Sequence, residues 1–312
     1  MNVIVGNKYE HSADQPRVIL LGAALCRLRV DNQWGLRELA RKLGTNPALL
    51  SNWELGQRTP AVEDVACYLG ALGIVGQDKE RILRLARTLA PGVVISGDQT
   101  VPHHLATLLD VEATAKKATI WEPVLVPDLL QLPDYAREVL RALGRSPGKA
   151  AELVELRKFR DGILHGPKAK PITAYIGDTV LTKPAVSAMT TAAQLWHLAT
   201  LNRKPNQITV RVVPFGISNH PALASAWSLY KMSRPVVYLN HLNSATFVDD
   251  QSDYYARAVT ELDKIALTDE ETTQALIQFA AKHADPERQD NGETTRNPQL
   301  PPHKNRRPNH PE

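Results

Sequence analysis

The twenty residues 36–55, LRELARKLGTNPALLSNWEL, predict two short helices joined by a tight turn. Apolar residues recur three and four positions apart in each half, which is the spacing of one helix face. Ala40 is small where the first helix would come closest to the second. Gly44 supplies the left-handed turn that residues with a Cβ resist. Leu50 and Trp53 then face inward and lock the second helix against the first.

The second predicted helix has a capped start and an open outer side. Asn46 can cap its N-terminus, and the next residue, a proline, suits the first position, where no N–H group is required. The residues predicted to face outward are Ala48, Leu49, Ser51 and Asn52. A short helix that its neighbours hold and that is open at its N-terminal end fits the major groove of DNA.

The outer side also predicts how bases and phosphates would be contacted. Its two apolar members can press on thymine methyl groups, while Ser51 and Asn52 can hydrogen-bond base edges. Arg37, Gln57 and Arg58 are the phosphate candidates. The complete predicted DNA-binding set is Arg37, Asn46, Ala48, Leu49, Ser51, Asn52, Gln57 and Arg58. For the three phosphate candidates, an ordinary solvated surface position is the alternative interpretation.

The helical pattern continues from Val18 to Ala90 and predicts five helices. Their segments are VILLGAALCRLRVD, LRELARKLG, PALLSNWEL, AVEDVACYLGALG and DKERILRLARTLA. Residues 17–90 hold 11 Lys and Arg against 7 Asp and Glu, whereas residues 91–285 hold 20 against 20. A positive excess in the N-terminal quarter is expected of a part that faces polyanions, with ordinary surface scatter as the alternative.

The segment Val18–Leu72 resembles the Cro/lambda-repressor (XRE) class of helix-turn-helix domains. The small-residue, glycine and two apolar positions described above all match, as do Glu54, Gly56 and the RTP that follows. The resemblance implies a sequence-specific DNA-binding domain. The family usually starts the first helix of the motif with Thr-Gln, where this chain has Gly35 and Leu36. A helical bundle with a purely structural role is the alternative.

Residues 101–284 mix helical and strand patterns and predict an α+β domain. The helical segments are HHLATLLDVEATAKKA, LPDYAREVLRALG, GKAAELVELRKFRDGIL and SAMTTAAQLWHLATLN, with two more helices near 251–266 and 269–283. The strand segments are PITAYIGDTVL, ITVRVVPF, SAWSLYKM and PVVYLNHLNSATFV.

Four segments of this region carry a second resemblance: WEPVLVPDLLQLPDYAREVL, GDTVLTKP, ITVRVVPFGISNHPALASAWSLYKM and PVVYLNHL. In this order, over about residues 103–280, they resemble the C-terminal domain of a large actinobacterial group of helix-turn-helix regulators. That domain is of unknown function and antitoxin-like. The resemblance implies a protein partner, because a small protein is often encoded next to such a regulator. Asn240 departs from the pattern, which generally has a glutamate there.

No catalytic motif is present, since GxSxG, HExxH and a Walker loop are all missing. We therefore predict no enzyme activity, no cofactor and no metal site. Asp178 and His220 are candidate site residues, with stabilisation of a turn as the favoured interpretation. The adjacent pair His103-His104 points to different helix faces and makes a poor metal clamp. The DYAR segment, residues 134–137, is predicted to fix its helix against EPVLVP, with partner binding as the alternative.

Composition sets the compartment expected for the chain. Charged residues at 22% and apolar residues at 43% indicate a globular protein rather than a disordered or membrane one. The sequence has no run of about 18 apolar residues, and its N-terminus lacks a signal-peptide core, so a cytoplasmic location is expected. Cys26 and Cys67 lie within helical apolar patterns and are predicted to be buried thiols.

Together these patterns predict a multidomain protein, with an all-α five-helix lambda-repressor-like helix-turn-helix domain followed by an α+β domain. The predicted parts are a flexible arm at 1–16, the helix-turn-helix domain at 17–92, a partner-binding or sensor domain at 101–284, and a disordered tail at 285–312. We expect a transcriptional regulator that binds double-stranded operator DNA as a homodimer. One alternative is an antitoxin-like module that neutralises a small partner protein and binds DNA for autoregulation. Another is a sensor whose second domain binds a small metabolite.

Overall fold

The computed structural model describes residues 16–87, 93–96, 103–158, 160–165, 169–203, 207–215, 225–241, 244–248 and 252–285. The predicted arm and tail lie outside these residues, apart from Pro16 and Asp285. The chain forms two compact units, which divide it differently from the predicted boundaries at 92 and 101. The first unit comprises Met1–Lys117 and Leu229–Tyr255, and the second comprises Ala118–Ser228 and Ala256–Glu312.

Five helices open the first unit, and all five helices expected from the apolar spacing are present. They are α1 (Pro16–Asp31), α2 (Leu36–Lys42), α3 (Pro47–Glu54), α4 (Val62–Ala71) and α5 (Gly76–Arg87). Leucines such as Leu20, Leu25 and Leu39 are fully buried between them. Burying a leucine side chain contributes about 1.5–3 kcal/mol to folding, so this core is the main source of the unit's stability.

A sixth helix, α6 (His103–Thr114), belongs to the same unit and packs along α1. Residues 17–25 of α1 are buried without interruption. Nine consecutive buried residues cannot lie on one face of a helix, so α1 must have neighbours on every side. Helices α3 and α5 supply some of these neighbours, and α6 supplies another.

Charge as well as apolar contact joins α6 to the preceding helices. The Asp110 carboxylate on α6 is fully buried and lies 2.6 Å from Nε of Arg27 on α1 and 2.7 Å from Nη1 of Arg81 on α5. Burial raises the pKa of Asp110, and the guanidiniums of Arg81 and Arg27 counter that rise. One carboxylate therefore connects three helices of the unit.

Strands complete the first unit. They are β1 (Val93–Ser96), β5 (Trp227–Lys231, which begins in the second unit), β6 (Val236–Asn240) and β7 (Ser244–Val248), in the order β1-β7-β6-β5. Val93 and Tyr238 both pair with Phe247, from opposite sides of β7. The segment PVVYLNHLNSATFV was expected to be one strand, and this expectation is wrong because β6 and β7 are separate strands that pair antiparallel.

Three parallel strands form the sheet of the second unit: β2 (Lys117–Glu122), β3 (Ile172–Gly177) and β4 (Ile208–Val213). Strand β3 lies in the middle, with Ile172 opposite Ala118 on one side and Ile208 on the other. The remaining helices lie between and after these strands in the chain. They are α7 (Pro133–Ala142), α8 (Pro147–Lys158), α9 (Asp161–Leu164), α10 (Thr179–Thr182), α11 (Ala188–Arg203), α12 (Ser252–Ile265) and α13 (Asp269–Ala284), and a 3-10 turn is formed by Asp128–Leu130. Helices α11 and α13 pack on each other and on β4. A region of helices and of both parallel and antiparallel strand pairs thus follows the N-terminal helical region, as predicted.

Two other element assignments made from the sequence are also wrong. The helix predicted through residue 118 ends at Thr114, and Lys117–Glu122 is a strand whose four central residues are all buried. A strand buried on both faces shows no alternation, so its pattern cannot be told from that of a buried helix. The end of PITAYIGDTVL is the short helix α10 rather than a strand, because the N–H groups of Leu181 and Thr182 turn back to the Asp178 carbonyl.

The predicted burial of the two thiols is also wrong. Cys26 is half-buried, and Cys67 is exposed on α4 together with Glu63 and Gly70, which lie four and three residues from it. That spacing places all three on the outer face of α4. No helix in the described residues is long and apolar enough to cross a membrane.

Candidate nucleic-acid interface

The turn between α2 and α3 has the backbone that the sequence predicts. Gly44 adopts φ +62°, the left-handed conformation expected of it. Its N–H donates to the Arg41 carbonyl at 3.2 Å, and the Thr45 N–H donates to the Ala40 carbonyl at 2.9 Å. Both bonds satisfy carbonyl groups at the end of α2 and fix the direction in which the chain enters α3.

The inner side of α3 is held tightly by α1. Leu50 is fully buried and Trp53 is 6% exposed, which confirms their predicted inward placement, and Ala40 on α2 is also fully buried. Gly22 on α1 lies so close to α3 that a Cβ there would meet the Trp53 carbonyl oxygen at 2.5 Å. Helix α3 is therefore positioned by backbone contact and not only by side chains.

The start of α3 is capped as predicted. The Asn46 Oδ1 accepts a hydrogen bond from the Ala48 N–H at 2.8 Å, and Pro47 occupies the first helical position. Since the cap uses Oδ1, any contact from Asn46 to DNA would come from its Nδ2 donor. A cap of this kind typically contributes about 1 kcal/mol to stability.

The predicted outer side of α3 faces away from the core. Ala48 is exposed, and Leu49, Ser51 and Asn52 are half-buried. The phosphate candidates are all exposed: Arg37 lies in the first turn of α2, while Gln57 and Arg58 follow α3. The N–H groups of Gln57 and Arg58 donate to the Asn52 carbonyl at 2.8 and 3.2 Å, which fixes this loop to the end of α3. The DNA contacts themselves stay predictions.

A buried polar network at the end of α3 was not predicted from the sequence. Glu54 accepts hydrogen bonds from Arg29 Nε at 2.7 Å and Nη2 at 2.6 Å, and from the Tyr68 hydroxyl at 2.8 Å. Burial and the Glu54 carboxylate hold the pKa of Tyr68 far above its usual value, so Tyr68 stays a donor. A bidentate guanidinium–carboxylate pair is among the stronger polar contacts in proteins.

The same end of α3 requires a second glycine. Gly56 has φ +66°, and a Cβ there would meet the Ile19 Cα at 2.9 Å. The Glu54 and Gly56 spacing, noted in the sequence only as a family pattern, thus has a physical cause. Glu54 pairs with Arg29 near the C-terminal end of α1, and Gly56 allows the chain to approach Ile19 near the N-terminal end of α1.

The candidate residues of the second region have structural roles where the structure describes them. The Asp178 Oδ2 accepts from the Phe215 N–H at 3.1 Å, which joins the ends of β3 and β4. The Tyr135 hydroxyl accepts from the Val126 N–H at 3.4 Å and so fixes α7 against the EPVLVP segment. Arg137 pairs with Asp134 on the surface.

No group of His, Cys, Asp and Glu in the described residues could hold a metal ion. His220 and the side chains of His103 and His104 lie outside what the structure describes.

Comparison with known proteins places the chain in a family. Residues 105–278 match the family described as Domain of unknown function (DUF5753). The chain belongs to this family, since the match covers more than half of its 312 residues. The match coincides with the C-terminal domain of unknown function expected from the sequence, and it leaves α1 to α5 outside. No curated protein matches the chain.

Proposed function

We propose that the chain is a sequence-specific DNA-binding transcriptional regulator, with α2 and α3 as an XRE-type helix-turn-helix motif and α3 as the recognition helix. One observation carries the proposal. Helix α3 buries Leu50 and Trp53, while its outer side presents Ala48, Leu49 and Asn52 next to a left-handed glycine turn. The outer side of α3 thus offers apolar contact from Ala48 and Leu49 and hydrogen-bonding groups from Ser51 and Asn52, which are the two kinds of contact that base edges in the major groove accept.

Charge around α3 supports the same proposal. The exposed guanidiniums of Arg37 and Arg58 flank the helix in sequence and lie in the part of the chain that carries its positive excess. Phosphate contacts set affinity and register, and base contacts set specificity. We therefore assign Arg37, Gln57 and Arg58 to phosphates, and Ser51 and Asn52 to base edges.

The test begins with DNA selected from a random pool by the full-length chain. Asn52→Ala should weaken binding to the selected site by about 1–3 kcal/mol and leave binding to random DNA unchanged. Gln77→Ala, an exposed amide at the start of α5, is the matched control and should change neither affinity. If Asn52→Ala lowers both affinities equally, Asn52 contacts only the backbone. If the full chain selects no sequence, the proposal fails.

We further propose that the regulator binds a pseudo-palindromic site as a dimer, because one recognition helix reads too few base pairs for genomic specificity. The second unit offers an apolar surface for this purpose. On α11, Met189 is 71% exposed and Trp196 is 44% exposed, with exposed Ala193 between them. These residues lie at i, i+4 and i+7, so they form one stripe on the helix.

Trp196→Glu tests this surface in the full-length chain. Sedimentation should show a dimer for the parent and a monomer for the variant, and the variant should bind a half-site as well as it binds the whole operator. Thr260→Glu, exposed on α12 and outside this stripe, is the charge control. A parent chain that is monomeric, yet binds one half-site as tightly as the whole operator, would overturn the dimer proposal.

The second candidate function is an antitoxin-like module that neutralises a small partner protein and binds DNA only for autoregulation. The exposed apolar stripe on α11 also favours this second candidate, because the same surface would then bind the small partner protein instead of a second copy of the chain. The two candidates separate experimentally. Salt-dependent, sequence-specific DNA binding by the isolated chain supports the first, whereas specific binding that appears only with the partner supports the second.

A further inference from the structure

The turn between β5 and β6 is attached to the end of α3. It comprises residues 232–235 and belongs to the first unit, as α3 does. The Ser233 hydroxyl donates to the Leu55 carbonyl at 2.7 Å. Leu55 is the C-cap of α3, at the end where the carbonyls of a helix lack partners within the helix. The turn is therefore bonded directly to the helix that we propose reads DNA.

This attachment lies next to the loop that we assign to phosphates. Arg58 is three residues from Leu55, and Lys231 is two residues from Ser233. Because one residue spans at most about 3.6 Å, each of these two cationic residues has its Cα within about 11 Å of the residue that the hydrogen bond joins. Charges on one DNA strand recur about every 3.4 Å along the helix axis, so one stretch of backbone can meet both side chains.

Lys231 is one of three lysines that form a basic surface beside the turn. The other two are Lys116 and Lys117, and all three are exposed. The Lys116 N–H donates to the Lys231 carbonyl at 2.8 Å, so the segment that follows α6 lies beside the end of β5. Lys117 comes next and is the first residue of β2. We call these three residues the lysine surface.

The lysine surface is held against α6. The Tyr230 hydroxyl, next to Lys231 in the chain, donates to the Glu112 Oε1 on α6 at 3.0 Å. Glu112 is 1% exposed, so its carboxylate is covered rather than presented to solvent beside the lysines. Residues 227–248, which include β5, β6 and β7, contain no Asp or Glu. These strands therefore bring cations to the end of α3 and no carboxylate of their own.

We propose that the lysine surface makes a second contact with the phosphate backbone of the DNA that α3 reads. A lysine ammonium is a compact charge on a flexible stem, which suits phosphates, and phosphate contacts carry no sequence information. The contact therefore adds affinity but no specificity. This inference rests on the proposed function, which places the DNA at α3. It extends the DNA interface from the helix-turn-helix motif into residues 105–278, the part of the chain that the family match covers.

The experiment measures how the affinity of the full-length chain for its selected DNA site depends on salt. The test variant combines Lys116→Gln, Lys117→Gln and Lys231→Gln. Each phosphate contact contributes about 0.9 to the slope of log K against log salt, so the slope of the variant should be smaller by about 2–3. Lys231→Gln alone should lower the slope by about 0.9. The affinities for selected and random DNA should fall by the same factor, because phosphates are present in both.

The matched control combines Arg141→Gln, Lys183→Gln and Lys264→Gln. These three exposed residues belong to the second unit, and their replacement removes the same charge from the chain. The control should keep the slope of the parent.

The outcomes separate this inference from the proposed function. A lysine-surface variant with the slope of the parent would overturn the inference and leave the role of α3 intact. An equal decrease in the control would show a general effect of net charge and would also overturn it. A lysine-surface variant that loses discrimination between selected and random DNA would overturn the assignment to phosphates. A parent chain that selects no DNA sequence would overturn the proposed function and this inference with it.

Discussion

Replacing Asp110 with asparagine should destabilise the first unit by about 3 kcal/mol. The substitution keeps the shape of the side chain and removes the charge that Arg27 and Arg81 share. Arg81 is 5% exposed and would lose a contact of 2.7 Å, and Arg27 would lose one of 2.6 Å. Breaking one partner of a buried ion pair costs about 3–5 kcal/mol, because the remaining charge stays buried. Asp78 lies 3.9 Å from Arg81 and is 66% exposed, so it can compensate the Arg81 charge only in part. We therefore expect a destabilisation at the lower end of the 3–5 kcal/mol range.

The assay is hydrogen exchange of the α1 and α6 amides in the full-length chain, which reports the opening free energy of this unit separately from the rest. Asp78→Asn is the matched control in the same unit. It removes the 3.9 Å pair with Arg81, in which Asp78 is 66% exposed, and pairs with an exposed partner contribute at most about 1 kcal/mol. An Asp110→Asn variant within about 0.5 kcal/mol of the parent would refute the argument that this carboxylate holds the three helices together.

Two further predictions concern backbone strain and pH. Gly44→Ala should lower the free energy of unfolding by about 1–2 kcal/mol, since only the positive φ opposes the new side chain. Gly56→Ala should lower it more, because the new Cβ would also meet the Ile19 backbone at 2.9 Å. Thermal unfolding of both variants would show this order, and equal losses of stability would contradict it. Glu122 has an ordinary pKa of 4.5 that burial, together with the Asp128 charge, raises to about 8, so its contribution to stability is present at low pH and is lost as pH rises through this window. Glu122→Gln should remove this loss, by up to about 1.4 kcal/mol per pH unit, and parallel pH profiles of parent and variant unfolding would contradict the assignment.

Local signals made the helical region predictable. Gly44 and Asn46 each act within a few residues of their own position, through a left-handed turn and a helix cap. The inward and outward sides of α3 follow from the spacing of Leu50 and Trp53 within one helix. Such features are written in consecutive residues, so a single sequence is enough to find them.

Contacts between distant segments were not predictable in the same way. Nothing near Asp110 in sequence indicates that its partners are Arg27 and Arg81. The uninterrupted apolar run at the start of α1 was an available sign, because an amphipathic helix would have shown a polar face. The contact between Ser233 and Leu55 likewise joins residues that lie in different segments and are brought together only by the fold.

The place of Asp110 has a consequence for exchanging parts between relatives. The family match begins at residue 105, inside α6, so the matched portion contains Asp110 but neither Arg27 nor Arg81. A chimera joined at that residue would take the carboxylate from one parent and both guanidiniums from the other. Its stability would then depend on whether the two parents had inherited the same pairing. A junction placed after Lys117, where the first compact segment ends, would keep the three side chains in one lineage.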